Sequence, residues 1–225
     1  MKKLIISVIA VSVIALGWAA TARAENDTVK TSSEVIASDQ SYTGLYTKVA
    51  DRVEINGTVN GDVAVVANKF VLKGTVNGNV YVLAENARFE GFVTGNIHVL
   101  ASDVELSSKA TSAYILASQL TSTKTAQLTG SLAAAASEAE VNGSIAQSAY
   151  VGASVVRYNA PTGGSVKLAA SQITVGNDAT IAGDLSYSQS AEIKIENDKN
   201  IEGSIKQFGP PAKAEQSSWA AKASG

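Results

Sequence analysis

His98 is the one histidine of the chain, and no cysteine accompanies it. General acid–base work near neutral pH draws mostly on imidazole, and thiol nucleophiles, thiolate metal sites and disulfides all need cysteine. His98 stands between Ile97 and Val99, so strand alternation turns it away from a core and makes it a solvated surface residue. The carboxylates are equally poor in chemistry. Asp62 is followed at 17-residue steps by Asn79 and Asn96, neutral amides that cannot exchange a proton. Asp103 with Glu105, Glu138 with Glu140 and Glu192 with Glu196 are scattered along the chain, unlike the facing pair that a glycosidase needs. Stacked Asp, Asn and Gly suit calcium solenoids, but the nonapeptide phrase is absent and a 17-residue period is no multiple of nine. Turns such as Gly57-Thr58-Val59-Asn60-Gly61 lack the lysine and the strand–loop–helix setting of a phosphate loop. Tyr81, Tyr114, Tyr150 and Tyr158 do not repeat at 17 residues, so no aromatic row for sugars is expected. Tyr81 and His98 together make a small outward contact patch. No catalytic residue, cofactor or metal site is expected.

These residues would be held by a repeat. GTVNGDVAVVA begins at Gly57, GTVNGNVYVLA at Gly74 and GFVTGNIHVLA at Gly91, a period of 17 residues. Like residues fall into columns: Val59, Val76 and Val93; Val65, Val82 and Val99; Ile55, Leu72, Phe89 and Leu106. The phase weakens through the Ala- and Ser-rich stretch Ser131–Ser137 and recovers towards Ser188. Within a unit every second residue is apolar or small, the period of a strand. An odd repeat would invert the faces, and it does not, because one polar corner per unit (Asn68-Lys69, Glu85-Asn86, Ser102-Asp103) takes an extra residue. Glycine and β-branched residues oppose a helical repeat, and 17 residues are too few for a propeller blade of about 40. The prediction is an all-β parallel solenoid over 51–208, with about nine coils of 17 residues stacked about 4.8 Å apart.

The flanks read differently. Lys2 and Lys3, the apolar run Leu4–Leu16 and Ala22-Arg23-Ala24 have the form of a cleaved export signal over 1–24. Its removal takes the net charge from −2 to −5 by loss of Lys2, Lys3 and Arg23. Residues 25–50 read as a polar leader and 209–225 as a flexible tail beginning before Pro210 and Pro211. The predicted location is exported: periplasmic or extracellular, and associated with the envelope. An acidic balance of this kind makes nucleic acid a poor partner.

The phrase xVxGxVxGxV in register on 17-residue coils, seen in VEINGTVNGDVAVVA, VLKGTVNGNVYVLA, VNGSIAQ and ATIAGDLSY, resembles the bactofilin, or polymer-forming cytoskeletal, family over about 53–207. That resemblance implies a right-handed parallel β-helix that polymerises end to end into nonpolar filaments without nucleotide. The export signal resembles an exported branch of the family. A solenoid's first and last coils leave unpaired strand edges in any case. The expected assembly surfaces are therefore Val53, Ile55, Val59, Val63 and Val65 at one end, and Ile193, Ile195, Ile201, Ile205 and Phe208 at the other. For Phe208, plugging the last coil of a monomer is the alternative. Two functions stay open: a noncatalytic envelope scaffold whose partner is itself, or a monomeric module that contacts cell-wall polysaccharide or a membrane-associated protein through a flat face.

Overall fold

The computed structural model describes residues 32–209, so the expected signal segment, the start of the leader and nearly all of the tail lie outside the described residues. The described chain is a β-solenoid of ten coils with three faces. The first face opens with Ser33–Ile36, the second with Ser41–Thr43, and the third with the first half of Tyr46–Ile55. That ten-residue strand turns the corner at Ala50-Asp51 and its second half returns to the first face, directly over Ser33–Ile36. Val63–Leu72 and Val80–Phe89 repeat the turn. On the third face the rungs begin at Tyr46, Val63, Val80, Ile97, Ala113, Leu132, Ala149, Val166, Leu185 and Ile205, here coils 1 to 10. Every pairing is parallel, and nine steps of about 4.8 Å make a rod about 43 Å long.

The columns read from the sequence are vertical neighbours. Val59 pairs with Val76 and Val76 with Val93; Ile55 pairs with Leu72, Leu72 with Phe89 and Phe89 with Leu106. All of these are buried, and each contributes about 1.5–3 kcal/mol of burial. Phe70 and Phe89 meet at 5.4 Å between ring centroids. The extra corner residues fall where expected, since Ala67 and Phe70 both point inward while Asn68 and Lys69 do not. Corner amides form a ladder: the Asn79 N–H donates to Asp62 Oδ1 at 2.7 Å, and the Asn96 N–H to Asn79 Oδ1 at 3.0 Å.

Two features differ from the sequence reading. The solenoid begins at Ser33 and not at 51, because Ser33–Ile36, Ser41–Thr43 and Tyr46–Ala50 already form a coil, one more than the nine expected. Coil length also varies. On the third face the rung after Ile97 begins at Ala113, one position short of the period, and the next begins at Leu132, two positions beyond it. Most of the surplus leaves as turns between the first and second faces, at Lys124-Thr125, at Asn177-Asp178 and as a 3-10 turn over Asp198–Asn200, and one further residue in a turn at Gln189-Ser190 between the third and first faces. Lys124 and Asp178 meet at 2.7 Å across coils 6 and 9.

Close approach explains the glycine column Gly57, Gly74 and Gly91. A Cβ on Gly91 would overlap the Gly74 carbonyl oxygen of the coil beneath, whereas one on Gly152 would meet nothing nearer than 3.9 Å. Gly91→Ala is expected to lower stability by about 1–3 kcal/mol in urea unfolding, and Gly152→Ala to stay within about 0.5 kcal/mol of wild type. The next position of that column is Ser108, since Lys109 sits over Phe92. Its hydroxyl is fully buried and has no hydrogen-bond partner among the described residues. Ser108→Ala should therefore raise stability by about 1 kcal/mol, because it removes an unsatisfied polar atom; an unchanged or lower urea midpoint contradicts this.

Candidate assembly surfaces

The two ends of the rod carry different chemistry. Among the described residues Ser33–Ile36 and Ser41–Thr43 are paired on one side only. On this first coil Glu34 stands over Val53, Tyr42 over Val59, Tyr46 over Val63 and Lys48 over Val65. These are inward columns, yet two of them hold charges, and Lys48 Nζ reaches Glu34 at 3.3 Å. Inward-pointing charge is a recognised way of blunting a strand edge. Tyr42 packs edge-on against Tyr46 with centroids 5.2 Å apart. Burial, reinforced by the Glu34 carboxylate, pushes the Tyr46 hydroxyl pKa up.

Val53, Ile55, Val59, Val63 and Val65 consequently form the interior of coil 2, covered by coil 1 and at most 3% exposed, and are not an end surface. The sequence held a signal for the covering coil. Gly44, Tyr46 and Ala50 precede Gly61, Val63 and Ala67 by 17 residues each, but Glu34, Tyr42 and Lys48 hide the apolar pattern.

The other end is built differently. Ile193 stands on Ile173, Ile195 on Val175, Ile205 on Leu185, and Ile201 bridges to Ile181. The strands Glu192–Ile195 and Ile205–Phe208 are paired on one side only among the described residues. Isoleucine, not charge, fills these inward columns, and Ile205 remains 42% exposed. Gln207 takes the remaining one, with Nε2 donating to the Tyr187 hydroxyl at 3.0 Å. Phe208 is neither plug nor end surface. It stands over Ser188 in an outward column of the third face, with Lys167 Nζ 4.4 Å from its ring centroid.

The long faces also differ from one another. On coils 2 to 7 the outward residues of the first face include Arg52, Glu54, Lys69, Arg88, Asp103, Glu105, Glu138 and Glu140. Arg88 meets Glu105 at 2.7 Å, Arg157 meets Glu138, and Glu54 is held by Arg52 at 2.6 Å and Lys73 at 3.2 Å. Hydrogen bonds from Arg52 and then Lys73 lower the Glu54 pKa to about 2. A carboxyl depressed below its unfolded value of about 4.3 stabilises the fold fully above that pH and loses its contribution as pH falls towards the folded value. The stability gap between wild type and Glu54→Gln should accordingly be widest near pH 7 and close between about pH 4 and about pH 2, read from urea midpoints; a constant gap contradicts this.

The third face carries no formal charge over the same coils. Its outward columns are Ala64, Tyr81, His98, Tyr114, Ala133, Tyr150 and Val66, Leu83, Leu100, Leu116, Ala135, Gly152. Burial pushes the His98 pKa down, which favours the neutral ring. Tyr81, His98 and Tyr114 stack at 4.9 and 4.8 Å with planes 12° and 8° apart. Tyr81, Tyr114 and Tyr150 do share a column, contrary to the count by 17, because the short coil before Ala113 and the long one after it keep the face in register. Tyr158, the fourth of that set, is internal. The stacked rings turn their faces to one another and their edges outward. On the second face, coils 6 to 10 form an open groove of about 660 Å³ lined by Gln127, Ser144, Ala146, Ala182, Lys199 and Glu202 among others.

No curated protein and no solved structure matches the chain. Residues 34–133 match the family model described as "Bactofilin: Polymer-forming cytoskeletal". The match starts on the first coil and reaches the sixth. It supports a structural scaffold, in agreement with a rod of stacked coils whose first and last strands are paired on one side only among the described residues. What the comparisons show is thus a segment, residues 34–133, that is similar to the bactofilin family of polymer-forming cytoskeletal proteins.

Proposed function

We propose that the chain is a noncatalytic, self-assembling scaffold of the bacterial cell envelope, exported by the segment 1–24 and joined end to end through its terminal coils without nucleotide. The observation that carries this reading is the last coil, where Ile193, Ile195, Ile201 and Ile205 crown the core and no further coil follows among the described residues. A second rod placed there gains a full set of strand hydrogen bonds together with apolar contact. The Glu34–Lys48 pair at the other end makes that contact more polar and more sensitive to salt. Negative-stain microscopy of the purified chain without nucleotide should show filaments or end-to-end pairs of rods. Single rods of about 43 Å at every concentration would overturn the reading.

The second-face groove favours another reading, a monomeric module that holds a polysaccharide or protein partner. Its position on coils 6 to 10 lies mostly beyond the family-matched segment. Single rods that sediment with purified cell wall, and lose this on Ala146→Trp, would support it.

A further inference from the structure

We infer that the third face holds a binding slot for a free, uncharged, planar bicyclic aromatic molecule, between Tyr114 and Tyr150 and over Ala133. The chain carries a filled copy of the same slot. Tyr81 on coil 3 and Tyr114 on coil 5 stand two rungs apart in one column. The His98 ring of coil 4 lies between them, 4.9 Å from one centroid and 4.8 Å from the other, with planes 12° and 8° apart. Two rungs of about 4.8 Å thus admit one flat ring covered on both faces. Tyr150 on coil 7 repeats that spacing from Tyr114, but the residue between them is Ala133, whose methyl group makes a floor and nothing more. Tyr114 and Tyr150 are both exposed, and no ring of the described residues stands between them.

The surroundings set the size of the ligand. Sideways the slot continues over Ala135 and Gly152, which carry at most a methyl group, and Leu116 of coil 5 edges it. From the Ala133 column to the Ala135 column is two residues, about 6.6 Å along the strand. A second fused ring therefore lies over Ala135 and covers Leu116, which a single ring would leave wet. The slot is one ring thick, far smaller than the area a specific protein contact needs, so its occupant is a small molecule.

Charge sets the rest. The outward columns of this face carry no formal charge on coils 2 to 7, so an ion would find no partner there. Lys167, next in the column on coil 8, turns its Nζ to the Phe208 ring at 4.4 Å. In the filled slot, burial pushes the His98 pKa down and favours the neutral ring. A nonionic ring stacks offset on two tyrosine faces without the cost of desolvating a charge. The slot uses neither terminal coil and does not rest on the scaffold reading.

Equilibrium dialysis of the purified chain against indole tests this. One indole per chain should bind saturably below about 1 mM, and cyclohexanol should not displace it. Tyr150→Ala should weaken binding at least tenfold. Ala133→Trp, which seats a ring of the chain's own in the slot, should abolish it with circular dichroism and urea midpoint unchanged. His98→Ala empties the twin slot and should raise the stoichiometry from one to two, a gain that a misfolded variant cannot produce. Absence of saturable binding, displacement by cyclohexanol, or a single site in His98→Ala overturns the slot. Tighter indole binding in Trp219→Ala would also overturn it, since the occupant would then be a side chain of the chain itself.

Discussion

Ile205→Glu is expected to reduce filaments to assemblies of no more than two rods. Ile205 lies in an inward column of the last coil, over buried Leu185, and is 42% exposed because nothing follows it among the described residues. In the single rod the new carboxylate still reaches water, so folding should change by less than about 1 kcal/mol. In an end-to-end contact the same carboxylate would be covered with no cation opposite it among the isoleucines. An uncompensated charge of that kind costs about 3–5 kcal/mol, or at least a hundredfold in association. Contacts through the Glu34–Lys48 end are untouched, which is why pairs can survive. Thr121→Glu, on the exposed first face, is the matched control and should leave filament length unaltered. Light scattering and negative-stain microscopy read both outcomes.

Removing Val65 to Tyr81, 17 residues, should leave a folded rod shorter by one rung of about 4.8 Å. The cut joins Ala64 to Val82, and Val82 already stands on Val65 in the parallel register, so each column closes on its own kind. Stopping the deletion at Val80, one position earlier, joins Ala64 to Tyr81 inside a strand and turns Tyr81 inward with Val82 outward. A one-residue slip of this sort exchanges core and solvent faces until a bulge corrects it. With several side chains at about 1.5–3 kcal/mol each, the expected loss matches the whole stability of a small domain. Circular dichroism should show a cooperative β transition for the first deletion and none for the second. Equal behaviour of the two would mean that the columns are not what holds the rod together.

The same columns explain what the sequence made legible. Gly, Val and Ala recur at fixed phase because every coil stands on one like itself, so the architecture, the 17-residue period of the first coils and their corner residues could be read without coordinates. The first coil was hidden for a physical reason. At the end of a rod an inward column has a neighbour on one side only, so Glu34 and Lys48 can occupy positions that demand valine one rung higher. The aromatic column was hidden by arithmetic, since turns such as Lys124-Thr125 add residues at a corner while the third face keeps its register. Phe208 was misread because the count of two breaks beyond Ile205, where Gln207 and not an apolar residue takes the inward place. The sequence reading put function at the termini, and the absence of charge from the third face over coils 2 to 7 became visible only once the three sides could be told apart.

Successive coils are joined by backbone hydrogen bonds that run along the axis, as between Lys73 N–H and Ile55 O at 2.8 Å or Glu90 N–H and Leu72 O at 2.7 Å. The chain enters at one extremity and leaves at the other, so a pull on its two termini loads those bonds lengthwise and in sequence, not in shear. Under tension the molecule should peel one winding at a time. Each release would free 17 residues, about 58 Å of extended backbone, at low and nearly equal force, a spring that gives way in small steps before it breaks.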